Sequence, residues 1–234
     1  MPSDPLAQPS ARLAFLRSVA LFSSLPEAPV QRLAEVSQPR RLQKGQLLFG
    51  QGEPGDSVYV VVAGSIAIVL ATADGRELVI NEMRAGDFFG ELALFPGQTH
   101  TAGAVAGTAS LVLCLPCAAF LAELDNQPAL MRRLLDAFAQ RLRASSERES
   151  ALAFMTAPAR LARLLLQNVA TDTLRVTGPL VTISQEELAQ RVGVTRQTVA
   201  KVLGGWRRSG WIITGRGRIM LVDRAALKRL ASVG

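Results

Sequence analysis

A chain of 234 residues that is 49% hydrophobic and 19% charged is long enough for two domains with their own cores, which excludes general disorder beyond the ends. The net charge of +7 is unevenly placed: from Ala157 onward there are 13 Lys and Arg against 4 Asp and Glu, whereas residues 1–156 carry 13 against 15. One histidine and two cysteines leave no cluster for a catalytic metal, and no Ser-His-Asp set or glycine-rich triphosphate loop is present, so an enzyme is not expected.

In chain order, residues 1–10 hold three prolines without periodicity and read as a loose tail. The opening Met-Pro-Ser-Asp-Pro lacks the basic segment and apolar run of a secretory leader, which points to the cytoplasm. Arg12 to Ser18 and Pro29 to Val36 read as short helices. From Arg41 to Cys117 runs of β-formers, such as Ser57 to Val62 and Ser65 to Thr72, are punctuated by glycines, the pattern of a barrel or β-roll. Leu92 to Ala122 carries no Asp, Glu, Lys or Arg, yet prolines, glycines and polar residues interrupt it, so no membrane span is expected. Cys114 and Cys117, at the end of a predicted strand, read as buried structural thiols.

Pro128 to Met155 is the longest helical stretch, with Leu130, Leu134, Phe138, Leu142 and Leu152 forming an apolar stripe around a polar centre. A stripe of that width packs on its own domain and on a twin, which predicts a parallel homodimer. Thr156-Ala157-Pro158 breaks the helix, because proline disfavours α geometry in the residue before it and suits the first turn of the next. This tripeptide is the expected hinge. Arg160 to Val169 is the next helix, and Thr171 to Val181 a loop or short β segment.

The chemistry is most legible from Ile183 to Trp211. Ser184 with Glu187 three residues on is a capping box, Gly193 supplies a tight turn, and Thr195 caps a second helix from Arg196 to about Arg208. Val199, Val202, Leu203 and Trp206 fall on the inner face of that helix, leaving Arg196, Gln197, Ala200 and Lys201 outward. Arginine and glutamine offer paired groups to base edges, while lysine and the helix N-terminus hold phosphates, so this pair of helices reads as a helix-turn-helix for double-stranded DNA. Thr195 and Thr198 stand beside these readers. Two β-type runs around Gly215-Arg216-Gly217 form a wing, on which Arg216 and Arg218 face the phosphate backbone, and Asp223 caps a last helix.

The order of roll, long helix and winged helix-turn-helix, with Gly90-Glu91-Leu92 in DFFGELALF, Gly64 in VVAGSIAIV, LAF at 152–154 and VGVTRQTVAKVL, resembles the Crp/Fnr family of bacterial transcription regulators. The resemblance implies an α+β fold with an N-terminal double-stranded β-helix, a β-roll like those that bind cyclic nucleotides. It divides the chain into an effector-sensing domain at 1–127, a dimerisation helix at 128–156 and a winged helix-turn-helix at 157–234. It implies a homodimer on a pseudo-palindromic promoter site and RNA polymerase as a partner.

The resemblance places the effector site at Gly90, Glu91, Leu92, His100, Thr101, Ser145 and Ser146. Members that bind cyclic nucleotides carry Arg-Ser-Ala or Arg-Thr-Ala where this chain has His100-Thr101-Ala102, and histidine lacks the charge and fork of arginine. Two readings therefore stay open: a small-molecule effector, cyclic nucleotide included, or a degenerate pocket answering to redox, haem or gas, or to nothing. The cofactor is unknown from sequence.

Overall fold

The computed structural model describes residues 5–71, 77–95, 97–169, 179–215 and 217–232. The chain divides into two compact units, Met1–Arg141 and Leu142–Gly234. The first opens with helices α1 (Pro9–Ser18) and α2 (Glu27–Val36). Strands β1 (Gln38–Leu42), β2 (Leu47–Phe49), β3 (Ser57–Ala63), β4 (Ser65–Ala71), β5 (Glu77–Arg84) and β6 (Phe88–Phe89) follow. A 3₁₀ turn (Glu91–Leu94) then leads to β7 (Gly103–Ala106), β8 (Ser110–Pro116) and helices α3 (Cys117–Asn126) and α4 (Pro128–Phe154).

The strands make two antiparallel four-stranded sheets, ordered β1-β8-β3-β6 and β2-β7-β4-β5. Both contribute to one core: Tyr59, Val61, Phe89 and Val112 from the first meet Phe49, Ile66, Met83 and Ala104 from the second. The other face of the first sheet is covered as well, since Val58, Val60, Leu113 and Leu115 pack with Leu16, Val30, Leu33, Phe120 and Leu130 of the helices. Burial on both faces is why β3 and β8 read as continuous apolar runs rather than as alternations.

Helix α3 has no counterpart in the sequence reading. Its Phe120 is fully buried and meets Phe22 edge-on at 6.3 Å, an aromatic burial that contributes about 2–3 kcal/mol. The expected loose tail needs correction too. Leu6 is buried in the helical core and α1 begins at Pro9. The cause is Arg12, a buried guanidinium whose Nη1 donates to the carbonyls of Leu6 (3.0 Å) and Ala7 (2.8 Å). Its Nε donates to Ala34 at 2.8 Å, one of the carbonyls that the last turn of α2 leaves without an intrahelical partner.

The stripe on α4 also divides differently from the expectation. Leu130 and Leu134 are buried, with Ala137 and Phe138 partly buried beside them, so these face their own unit. The apolar side chains left in solvent are Met131, Leu135, Leu142, Leu152 and Phe154. The stripe is wider than one neighbour can cover. No described helix is long and apolar enough to cross a membrane.

In the second unit α4 ends at Phe154, and α5 (Ala157–Gln167) starts with proline in its first turn and Thr156 as its cap. Then come β9 (Leu180–Thr182), α6 (Gln185–Val192), α7 (Arg196–Arg208), β10 (Ile212–Gly215), β11 (Arg218–Leu221) and α8 (Arg224–Ala231). Most of the predicted Thr171–Val181 segment, and Arg216, lie outside the described residues. A three-stranded antiparallel sheet, β10-β11-β9, backs one core formed by Leu161 and Leu165 of α5, Leu188 and Val192 of α6, and Val199, Leu203 and Trp206 of α7.

Arg12→Ala removes the donor that several buried carbonyls share. Urea denaturation is expected to show a loss of about 2 kcal/mol, with faster proteolysis around Leu6. Arg12→Lys should recover less than half of it, because an ammonium cannot span the same carbonyls.

Candidate effector site and DNA interface

The roll's site begins with a glycine. Gly90 has φ +84, and a Cβ there would lie 2.9 Å from the Tyr59 ring, so only glycine turns β6 sharply into the 3₁₀ turn. That turn carries Glu91 inward, where it is 3% exposed. A carboxylate so far out of water needs a cation. Arg141, near the middle of α4, supplies it: Nη1 donates to Glu91 Oε1 at 2.6 Å, Nη2 donates to the Phe88 carbonyl, and the guanidinium lies 4.5 Å over the Phe88 ring. Among the described residues Glu91 Oε2 is left as a buried acceptor without a hydrogen-bond partner. Burial pushes the Glu91 carboxyl above its ordinary range, against the opposing pull of Arg141.

His100 is built differently from a charged ligand arm. It is 4% exposed, and its ring stacks on Phe49 with centroids 3.6 Å apart and planes at 9°. Phe49 in turn meets Tyr59 and Phe89. A Cβ on Gly55 would lie 3.1 Å from the imidazole Cε1, so the ring fills the space against that glycine. Burial lowers its pKa, which keeps it neutral at pH 7. Among the described residues no hydrogen bond joins it to Glu91. His100 is thus a wall of an aromatic stack.

Of the other predicted effector residues, Leu92 is 46% exposed and Thr101 is exposed. Ser145 and Ser146 lie past Arg141 in the second unit; the Ser145 hydroxyl is 3.4 Å from Glu149 Oε1, and Ser146 lines an open groove with Ser150, Phe154 and Arg163. Sequence reasoning missed Arg141. The available signal was helical spacing, since Arg141 stands four residues before Ser145 and shares its face. The thiols of Cys114 and Cys117 are half-buried, and burial pushes Cys114 up to about 11 and raises Cys117, so both stay protonated at neutral pH.

The DNA-facing unit is held by local caps. The Ser184 hydroxyl accepts from Glu187 N at 3.1 Å, but the reciprocal half of the capping box is replaced, because Arg191 Nη2 takes the Glu187 carboxylate at 2.7 Å, one turn on. Gly193 is left-handed at φ +71, which lets the chain reverse between α6 and α7. Thr195 caps α7 by accepting from Thr198 N at 3.2 Å, and the two hydroxyls lie 2.9 Å apart. Arg160 braces the turn, with Nε donating to Val192 O at 3.1 Å and Nη1 to Met155 O at 2.9 Å.

With Val199, Leu203 and Trp206 committed to the core, α7 leaves Arg196, Gln197, Ala200 and Lys201 exposed. Arg196 and Arg218 line one hollow of about 270 Å³ with Ser184, Glu186 and Thr214, so the wing strand and the two helix starts converge. In α7 the neighbouring Gly204 and Gly205 each cost about 1 kcal/mol of helix preference relative to alanine.

Arg141→Ala strands the Glu91 carboxylate. The expected loss is about 3 kcal/mol at pH 8. Without the cation the raised carboxyl rises further, so stability is highest while it is protonated and falls as pH rises through that value. Urea midpoints should therefore show a smaller loss at pH 5 than at pH 8, and adding Glu91→Gln should remove the difference.

The family profile described as the cyclic nucleotide-binding domain matches residues 39–127, and that of the Crp-like helix-turn-helix domain matches residues 159–230. A CRP-like cAMP-activated global transcriptional regulator of Mycobacterium tuberculosis is 31% identical over 222 residues, covering 92% of this chain and 98% of that one. The cAMP-activated global transcriptional regulator CRP of Salmonella typhimurium is 34% identical over 160 residues, 67% of this chain and 76% of that one. Among solved structures, a CRP/FNR-family transcriptional regulator of Thermus thermophilus superposes with a TM-score of 0.72 at 32% identity, covering 84% of this chain and all (100%) of that one. A roll built around a glycine-turned glutamate, a long helix and a capped helix-turn-helix, in the order these relatives share, place the chain in the Crp/Fnr family of effector-responsive, DNA-binding transcription regulators.

Proposed function

We propose that the protein acts in the cytoplasm as a homodimer that presents two copies of α7 to a pseudo-palindromic promoter site and regulates transcription by RNA polymerase from there. The observation that carries this is the outward face of α7, where Arg196, Gln197 and Lys201 are exposed and none makes an ion pair among the described residues. Arg196 reads a guanine through O6 and N7, Gln197 suits adenine N6 and N7, and Lys201 acts as a point charge on a guanine or phosphate. Thr195 and Thr198 at the helix start, with Arg216 and Arg218 on the wing, hold the backbone. The dimer forms through the side of α4 that its own unit leaves open. Leu135 and Leu142 stand exposed seven residues apart, and Leu152 follows ten residues further on at a position of the same heptad seam, which suits a two-helix coil.

The roll is the sensor, and Glu91 Oε2 is its open acceptor for a ligand hydroxyl. The relatives named cAMP-activated make a cyclic nucleotide the first compound to test. Neutral His100 gives its phosphate no charge, so binding is weaker than in a pocket with arginine by the about 1–3 kcal/mol of a charge-assisted bond. Nothing in the arrangement calls for catalysis.

Two measurements test this reading. Sedimentation should give a dimer at micromolar concentration, and Leu142→Arg should shift it to monomer; a wild-type monomer with and without DNA would contradict the seam. Selection from randomised duplexes should return two half-sites about 34 Å apart. Arg196→Ala should cost about 1–3 kcal/mol and relax one position, and Gln197→Glu should move preference at its base towards cytosine. Identical half-sites from Gln197→Glu and wild type would mean that Gln197 is not a reader.

A further inference from the structure

The outward arc of α7 carries more cation than base reading uses. Beyond Arg196 and Lys201, Arg207 and Arg208 stand exposed in the last turn, and neither makes an ion pair or side-chain hydrogen bond among the described residues. Arg160 and Arg191 of this unit are engaged, Arg160 on three carbonyls and Arg191 on Glu187. A hollow of about 90 Å³ opens beside Arg207, lined by Gln185, Ala200, Leu203, Gly204, Arg207 and Thr214. Its polar groups are a guanidinium, an amide and a hydroxyl, all able to donate, and no carboxylate lines it. A solvated donor cluster of that kind matches an anion.

Gly204 gives a second reason. At 100° per residue it falls at the centre of the exposed arc, with Ala200 one turn before it, Arg196 and Arg207 on one flank, and Lys201 and Arg208 on the other. A Cβ at Gly204 would meet only the end of the Arg208 side chain, at 3.7 Å, so the fold itself has room for a better helix former there. What a side chain would fill is the hollow.

We propose that this hollow seats a phosphate of the DNA backbone, with Arg207 as its charge partner and Gln185 and Thr214 as neutral donors. The C-terminal half of α7 then grips the duplex while its N-terminal half reads it. This rests on α7 being the recognition helix. Because the contact is to backbone, it adds affinity on every sequence and no discrimination between sequences.

The test is fluorescence anisotropy of the full chain on its selected site and on a random duplex across a salt series. Arg207→Ala should weaken both about eightfold at 0.1 M salt, the counter-ion release of one phosphate, and lower the salt slope by about one. Arg207→Lys should retain most of the slope. Gly204→Leu, which fills the hollow with a good helix former, should weaken both duplexes without lowering the melting temperature. Gly205→Leu makes the same change in helix preference outside the hollow and should leave affinity intact. An unchanged slope in Arg207→Ala overturns the proposal, as does an equal loss from Gly205→Leu. Loss of transcription at unchanged DNA affinity also overturns it and assigns Arg207 to a protein partner. If Arg196→Ala abolishes discrimination while Arg207→Ala does nothing, only the phosphate seat fails; if neither changes binding, the reading of α7 fails with it.

Discussion

The buried carboxylate of Glu91 places a demand on everything around it. Taking a charge of that kind out of water costs several kcal/mol unless a cation and hydrogen bonds replace the solvent. Gly90 makes the turn that sends it inward, and Tyr59 leaves no room for any other residue there. Arg141 answers it from α4, fifty residues along the chain, and is itself held by the Phe88 carbonyl and ring. The strands, the 3₁₀ turn and the first half of the long helix are tied at one point. Among the described residues the other carboxylate oxygen of Glu91 has no hydrogen-bond partner, and a buried acceptor left so costs free energy that the ion pair with Arg141 must offset.

Beside this point the roll is packed with aromatic rings. Phe49, Tyr59, Phe89 and His100 form a connected set of rings, with His100 lying flat on Phe49. A neutral, stacked imidazole adds to that aromatic packing and brings no charge to it at pH 7. The DNA-facing unit shows the opposite economy of charge: Arg160 and Arg191 are spent on bracing the helices, and the cations of α7 are left in solvent, where a polyanion can reach them.

Much of the architecture was legible in the sequence because it is set by neighbours a few residues apart. Ser184, Thr195 and Asp223 cap the helices that follow them, Gly193 takes the left-handed turn between α6 and α7, and Pro158 opens α5. Each depends on backbone donors within one turn, so residue type and spacing suffice. The inner and outer faces of α7 follow from a period of 3.6 residues. Where local rules allow two partners, local reading fails. Glu187 has both a backbone N–H and Arg191 within reach, and it takes the cation.

What the sequence by itself determined about this protein is therefore the order of its elements, the inner and outer faces of α7 and the family resemblance. The tertiary structure alone decided the partners of its long-range polar groups and the side of α4 that remains uncovered. Arg141 finds Glu91 across fifty positions, Arg12 finds the end of α2 across more than twenty, and His100 finds Phe49. Leu134 is buried while Leu135 beside it stays in water. Periodicity shows that a helix has an apolar stripe; which part of a wide stripe is covered, and which buried charge meets which, depends on what the folded chain brings alongside, and desolvation chooses among those neighbours only once they are in place.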